Sequence, residues 1–328
     1  MIIVKWPLLI SMVIMLTVSS LIYFPASGAA QTYPDRPITI ICAYAPGATT
    51  DLTIRALARG AEKLLGVPVV VENKAGGGGT VGAGLVASKK NDGYTLGVTS
   101  SGTMVLRPHI LKVSYDPIED FTFLIQYSRY IGGPCVLSES PIKTIDEFIT
   151  YAKGNPGLSY GSAGTLSTQH LAVEALAKCK GLNLKHVPTK GGAESNTALL
   201  GKHMDFTSGA GQHITYVKQG LFRLLLIYNT DKRDPKYPNI PILKELGCED
   251  VPPNGYVIFG PKNLPEPVCE KLGEVFKKVA EGPDFQKTLE DCYLPYEYKS
   301  RQQLTKDIPV EFEWYKRYLQ RAGLLKVK

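Results

Sequence analysis

The strongest constraint on the fold is a regular alternation of short apolar runs with helical segments that begins at Ile38. Ile38 to Ala43 is a β-branched run of strand length, and Thr49 or Thr50 then offers a helix N-cap with Asp51 in the first turn. Leu52, Leu57, Ala61, Leu64 and Leu65 recur at helical spacing, and Gly66 supplies the stop. Val67 to Val71 reads as a second strand, Gly82 to Lys90 as a second helix and Tyr94 to Val98 as a third strand. Such a βαβαβ series predicts a largely parallel sheet with helices on both faces.

A second series starts near Ile131. Thr144 and Glu147 form a capping box that opens a helix running to about Lys153. Strand Leu158 to Gly161, helix Ser167 to Lys180, strand Leu184 to Val187, helix Ala193 to Leu200 and strand Phe222 to Ile227 follow. Asp231 to Pro241 is a polar, proline-containing loop, Tyr256 to Phe259 is one more strand, and the chain is mainly helical from Pro265 onward. Two α/β series in one chain predict two similar lobes, with ligands bound at the loops that follow the strands.

Ahead of the first strand, Lys5 precedes an uncharged apolar run from Pro7 to Phe24 and the small residues Ala26-Ser27-Gly28-Ala29-Ala30. This is the layout of an export signal, with cleavage expected near Ala29; the run is also long enough to stay behind as an anchor. The formal charge of +7 includes Lys5, which leaves +6 after cleavage, and the Lys and Arg residues are scattered. A nucleic-acid binder would gather them on one element, so none is expected as a partner. Six cysteines at 42, 135, 179, 248, 269 and 292 show no metal-ligand spacing. Outside the cytoplasm they are free to pair, but spacing alone does not say which do.

Three catalytic readings fail on their residues. Gly77, Gly79 and Gly82 match the GxGxxG dinucleotide pattern, yet the next strand runs into Thr99-Ser100-Ser101 with no acidic residue to hold a ribose. Gly161-Ser162-Ala163-Gly164 places its serine one position early for a nucleophile elbow. The five histidines form no HExxH, and His170 with Glu174, four apart on a helix, suits a hydrogen bond better than a metal pair. No enzyme activity, cofactor or metal is expected. What remains is a set of Gly/Ser/Thr-rich turns between strands and helices, at 45–51, 99–103, 161–168 and 189–193. Helix N-termini expose unpaired N–H groups, glycine lets an anion approach them, and hydroxyls add donors without charge. Two such loops from each lobe, facing across a cleft, could grip a carboxylate.

The order and spacing of several motifs resemble the substrate-binding component of tripartite tricarboxylate transporters, the Bug or TctC-like family. They are Pro46-Gly47 ending in Asp51, Val70-Val71-Glu72-Asn73-Lys74, Gly82-Ala83, Asp92-Gly93-Tyr94-Thr95-Leu96 and Tyr115-Asp116-Pro117 with Asp120-Phe121. Tyr160-Gly161-Ser162-Ala163-Gly164, Ser167-Thr168 before His170-Leu171-Ala172, and Lys190-Gly191-Gly192 complete the set. The resemblance runs from Tyr33 to Gly323 and makes the glycine run at 76–79 a structural turn. It implies an α/β, two-lobed periplasmic-binding-protein (Venus flytrap) fold, each lobe a central sheet flanked by helices. The signal would take residues 1–30, lobe one 31–131 plus 254–328, and lobe two 132–253.

The implied function is an extracytoplasmic receptor, periplasmic and monomeric, that captures a small carboxylate and delivers it to integral-membrane transporter subunits. A periplasmic sensor serving a signalling partner is the alternative. The implied ligand-binding residues are Ala45, Pro46, Gly47, Thr49, Thr50 and Asp51; Ser100, Ser101, Gly102 and Thr103; Ser162, Ala163, Gly164, Ser167 and Thr168; and Lys190, Gly191 and Gly192. Departures from the family pattern bear on the ligand. Ala48 and Thr49 replace two glycines of the first loop, Leu166 stands where glycine is frequent, Thr189 where tyrosine is common, and Gly209-Ala210 where the family often has Asp-Asn. Loss of that acidic position disfavours amino acids, so a non-amino carboxylate with apolar contact near Leu166 is expected.

Overall fold

The first strand, β1 (Ile38–Cys42), is buried along nearly its whole length and forms the axis of a parallel trio. It pairs on one side with β2 (Val69–Asn73), in the register Ile38 to Val69, and on the other with β3 (Thr95–Ser100). Helix α1 (Thr49–Leu65) joins β1 to β2 and buries Ile54, Leu57, Ala58 and Ala61; each large apolar side chain so buried contributes ~2 kcal/mol. Leu52 and Leu64, counted in the apolar stripe on spacing alone, are exposed. Gly66 ends the helix in the left-handed conformation, φ 72°, as its position predicts. Helix α2 (Thr80–Ala87) connects β2 to β3, and the short α3 (Ser101–Leu106) follows β3 directly.

Beyond this trio the sheet is mixed, which corrects the expectation of a largely parallel one. β4 (Phe121–Arg129) and β10 (Gly255–Pro261) complete its centre with β11 (Tyr296–Ser300) at the edge, in the order β11-β4-β10-β3-β1-β2. β10 runs antiparallel to both β3 and β4 because the chain re-enters this sheet from the far half of the molecule. β4 is buried on both faces, so it carries no alternation, and sequence periodicity passes over it.

The second sheet, order β7-β6-β8-β5-β9, takes β5 (Gly132–Leu137), β6 (Leu158–Gly161), β7 (Leu184–Val187), β8 (Phe206–Ala210) and β9 (Phe222–Leu224). Between them lie α4 (Ile145–Gly154), α5 (Thr168–Lys180), α6 (Gly192–Leu200) and α7 (His213–Lys218). Thr144 caps α4 by accepting from Glu147 N–H, as the capping box requires. The chain passes from the first sheet to the second at Tyr130–Ile131 and returns before Gly255. These two crossings are bonded to each other, Tyr130 N–H donating to the Asn254 carbonyl at 2.8 Å. Arg129, at the first crossing, pairs with Asp234 at 2.5 Å and with Glu297 at 3.3 Å.

The C-terminal elements α8 (Glu266–Ala280), α9 (Pro283–Asp291) and α10 (Arg301–Arg321) finish the chain. α10 reaches both halves: its Tyr315, Tyr318 and Leu319 share one core with Phe259 of the first sheet and with Tyr160 and Leu171 of the second half. Tyr318 also donates to the Leu171 carbonyl, and Arg321 pairs with Glu249.

These relations come from a computed structural model that describes residues 33–325 apart from 190, 211, 229, 250, 251 and 253. The chain divides into two units, 1–35 and 36–328; the first is described only at 33–35, so the expected export segment lies outside the described residues. Among the described residues no helix is long and apolar enough to cross a membrane.

One cysteine pair forms. Cys179 at the end of α5 is bonded to Cys248, closing a loop across 69 residues, while Cys42, Cys135, Cys269 and Cys292 are free. Cys42 is a small buried residue whose thiol burial pushes up to about 11. A loop of that length gives the crosslink ~2–4 kcal/mol through the unfolded chain. Cys179→Ser with Cys248→Ser is therefore expected to lower the urea-unfolding free energy by that amount; an unchanged midpoint would show that the bond stabilises nothing.

Candidate functional site

The loops that follow the strands of both sheets converge on one cleft with a cavity of about 370 Å³. From the first half, Thr49 and Thr50 at the start of α1 and Ser100 and Thr103 around the start of α3 line it. From the second, Ala163, Ser167 and Thr168 before and at the start of α5 and Gly191 and Gly192 at the start of α6 do so. Three helices of nine residues or more thus point their N-termini at one space from two sheets. Ser167 caps α5 by accepting from His170 N–H at 3.2 Å. The N-caps of α1 and α6, Ala48 and Gly191, offer no side-chain cap, which leaves backbone N–H groups of both helices open to an anion.

Of the remaining expected site residues, those that are described do not line the cavity. Ala45, Pro46 and Gly47 are exposed on the rim. Asp51 is buried and turned away, its carboxylate accepting from Gly47 N–H at 2.9 Å, Asn73 at 2.8 Å and Arg55 at 2.8 Å. Burial pushes its pKa up, but those donors outweigh it and hold the carboxyl below its ordinary value. Asp51 shapes the loop. Ser162 works in the same way from the other side: its hydroxyl accepts from Gly164 N–H at 3.1 Å and meets His186 Nε2 at 2.9 Å, while its carbonyl accepts from Thr189. Gly164, at φ 120°, completes that turn. Lys190 lies outside the described residues.

Ser101 and Gly102 sit at the point where the halves meet. A Cβ on Gly102 would lie 3.0 Å from Asn254 and 3.1 Å from Thr168 of the opposite half. Asn254 is the organiser that sequence reasoning missed. From the return crossing its Oδ1 accepts from Ser100 Oγ at 2.7 Å and Gly102 N–H at 2.9 Å, tying the first-half loop to the crossing. In the sequence it is an unremarked polar residue of a proline-rich turn, because a contact across 152 positions leaves no local trace.

Tyr44, Leu106, Arg107, Tyr130, Gln169 and Tyr256 also line the cavity and were not anticipated. Burial lifts the phenols of Tyr130 and Tyr256 well above their ordinary pKa, so both remain hydroxyl donors. Among the described lining residues there is no aspartate or glutamate, and Arg107 is the one charged side chain. Gly78 lines the cavity too. Its run, Gly76 to Gly79, has φ values of 147°, 58°, 68° and 108°, all in the region that favours glycine. A Cβ on Gly79 would also lie 2.8 Å from the Thr99 hydroxyl and 3.2 Å from that of Tyr44. Turn geometry accounts for four successive glycines.

Leu166 departs from expectation in an instructive way. It adopts φ 55°, in the left-handed region that favours glycine, and its side chain packs on the hydrophobic core without lining the cavity. Its N–H donates to His170 Nδ1 at 3.0 Å, which requires that nitrogen to be unprotonated. His170 and His186 are 4.1 Å apart between ring centres, and burial pushes both down to about 4. Glu174 accepts from Tyr160 at 2.7 Å and stands 3.8 Å from His170 Nε2, too far for the hydrogen bond expected between that pair.

Two helix-flanked mixed sheets that meet at one polar cleft define the periplasmic-binding-protein class of fold. The chain belongs to the tripartite tricarboxylate transporter receptor family, whose profile (Tripartite tricarboxylate transporter family receptor) matches residues 53–324. It is 37% identical over 305 residues, 93% of each chain, to the UPF0065 protein in the gbd 5′ region of Cupriavidus necator. Among solved structures, periplasmic binding protein BugD is 27% identical with a TM-score of 0.76, covering 90% of this chain and 100% of that one. An R. palustris protein solved with adipate shares the fold at 24% identity and a TM-score of 0.78, covering 90% and 100%. The family is one of solute-binding receptors.

Proposed function

We propose that this chain is an extracytoplasmic, non-catalytic receptor that captures a small non-amino carboxylate in the cleft and delivers it to integral-membrane transporter subunits. In this reading the two sheets are the cores of two lobes, 31–131 with 254–328 and 132–253, which close on the ligand in the periplasm after export. The convergence of three helix N-termini on a cavity with no acidic side chain among its described lining residues carries the proposal. Backbone N–H groups and hydroxyls from both lobes would surround the carboxylate, each charge-assisted bond contributing ~1.5–3 kcal/mol. Micromolar affinity requires ~8 kcal/mol net, so a handful of such bonds suffices after closure is subtracted. The ligand acts by favouring the closed arrangement. The absence of a carboxylate among the described lining residues leaves an amino group without a partner, which favours a non-amino acid.

Thr49→Val with Thr168→Val tests this, since the two hydroxyls line the cavity from opposite halves and valine keeps their shape. Calorimetry with a panel of adipate, citrate and aromatic acids should find micromolar binding that the double variant weakens ~10–100-fold, with the unliganded melting temperature within ~2 °C. Unchanged affinity would place the site elsewhere. Tighter binding of aspartate or glutamate would overturn the non-amino assignment.

A further inference from the structure

Away from the cleft, the second half of α1, the end of α8 and the start of α9 enclose a groove with a cavity of about 490 Å³. Part of its lining is apolar: Val279, the buried Phe285 and the exposed Leu64. The two longer helices meet tightly here, since a Cβ on Gly60 would lie 2.4 Å from Val279 Cγ1. Three cations line the same groove, Arg59 and Lys63 from α1 and Lys278 from α8, against one carboxylate, Asp284 in the first turn of α9. All four side chains belong to exposed residues. Eighteen ion pairs form among the described residues, and none of these four takes part. The acidic residues next along the chain are engaged elsewhere. Glu62 accepts from Val69 N–H at 3.2 Å, and Glu281 pairs with Lys277 at 3.9 Å.

Lys63 and Lys278 stand in the last turns of their helices, where the helix dipole favours a cation. The dipole does not account for Arg59, which lies one turn before Lys63 and sets like charges side by side on α1 at a small cost to the helix. Nor does it require an apolar hollow between the cations. A basic rim around such a hollow is complementary to an acidic chain segment that inserts an apolar side chain. We infer that the groove docks an acidic, apolar-anchored extracytoplasmic segment of an integral-membrane subunit. The identity of that partner rests on the carboxylate-receptor reading; the inference adds the surface it uses and the chemistry by which it is recognised. The lining comes from α1, α8 and α9 alone, all packed in the first half, so the groove does not depend on how the two halves close.

The test measures binding of the labelled protein to right-side-out membrane vesicles from its own host, deleted for this gene. Arg59→Gln, Lys63→Gln and Lys278→Gln together should weaken binding at least ten-fold and leave the melting temperature within about 2 °C, because exposed cations of this kind hold little of the fold. Lys112→Gln, Lys153→Gln and Lys185→Gln together remove the same charge from exposed positions elsewhere and should leave binding within about three-fold. A photo-crosslinking phenylalanine derivative in place of Leu64 should capture a segment rich in Asp and Glu from an integral-membrane protein, read by mass spectrometry. Four results overturn the inference and leave capture of a carboxylate in the cleft intact. They are unchanged binding in the groove variant, equal loss in both triple variants, equal binding to protein-free liposomes of the host's lipids, and capture by a neutral or basic segment. A wild type that binds no vesicle overturns the inference together with delivery to a membrane subunit, whereas titration of acids into the cleft separately decides the receptor reading.

Discussion

Arg129→Met is expected to lower the unfolding free energy by ~3–5 kcal/mol, the largest effect of any single substitution considered. Arg129 is 5% exposed and Asp234 is 2% exposed, with Nη2 and Oδ2 2.5 Å apart. Removing the guanidinium leaves Asp234 buried with, among the described residues, only the Lys236 N–H bond, at 2.8 Å, to offset its charge. The pair also spans the crossing, because Arg129 ends β4 and Asp234 lies in the 231–241 loop beyond the second sheet. Asp234→Asn should be milder, since Arg129 keeps Glu297 at 3.3 Å. Arg129→Met with Asp234→Leu should recover most of the loss, as a buried pair replaced whole by apolar groups is often neutral. Urea unfolding of the four proteins decides it. A loss under ~1 kcal/mol in Arg129→Met would show that water reaches Asp234 once its partner is gone.

Acid should destabilise this protein well above the range in which carboxylates titrate. His213 is fully buried, neither ring nitrogen has a partner among the described residues, and burial pushes it from 6.5 to about 3. His170 and His186 each fall to about 4, burial again being the main cause. All three folded values lie below the unfolded one, so the unfolded chain binds protons first and stability drops as pH falls through 6.5. The loss continues until the folded groups themselves protonate, near 4 and 3. By pH 5 each histidine is expected to have withdrawn ~2 kcal/mol relative to pH 7.5. His213→Leu should remove about a third of that slope, His170 and His186 carrying the rest, and leave the protein at least as stable at neutral pH, since it deletes two unsatisfied buried atoms. Equal urea midpoints at pH 7.5 and 5 would refute the assignment.

The fold class was legible in the sequence because strand and helix periods are local. Gly66 as a helix stop, Thr144 as a cap and the βαβαβ order each depend on a few neighbouring residues. Strand direction in the rest of the first sheet was not legible, because β10 enters after the chain has built the second sheet and returned. The cleft was partly legible. Thr49, Ser167, Thr168 and Gly191 announce helix starts, and the helix starts are what face the cavity. Asp51 and Ser162 belong to the same motifs, yet their side chains are spent on their own loops and on neighbouring strands, at Asn73 and His186, which spacing cannot reveal.

The sequence alone determined the alternation of elements, the family and the positions of the loops that line the cleft, since each is written in contiguous residues. Tertiary structure alone decided that Cys179 pairs with Cys248, that Asn254 organises a loop 152 positions away, and that Arg107 is the one charged side chain among the described residues lining the cleft. Each of those depends on two folded halves bringing distant side chains together, and burial and pairing are properties of that juxtaposition.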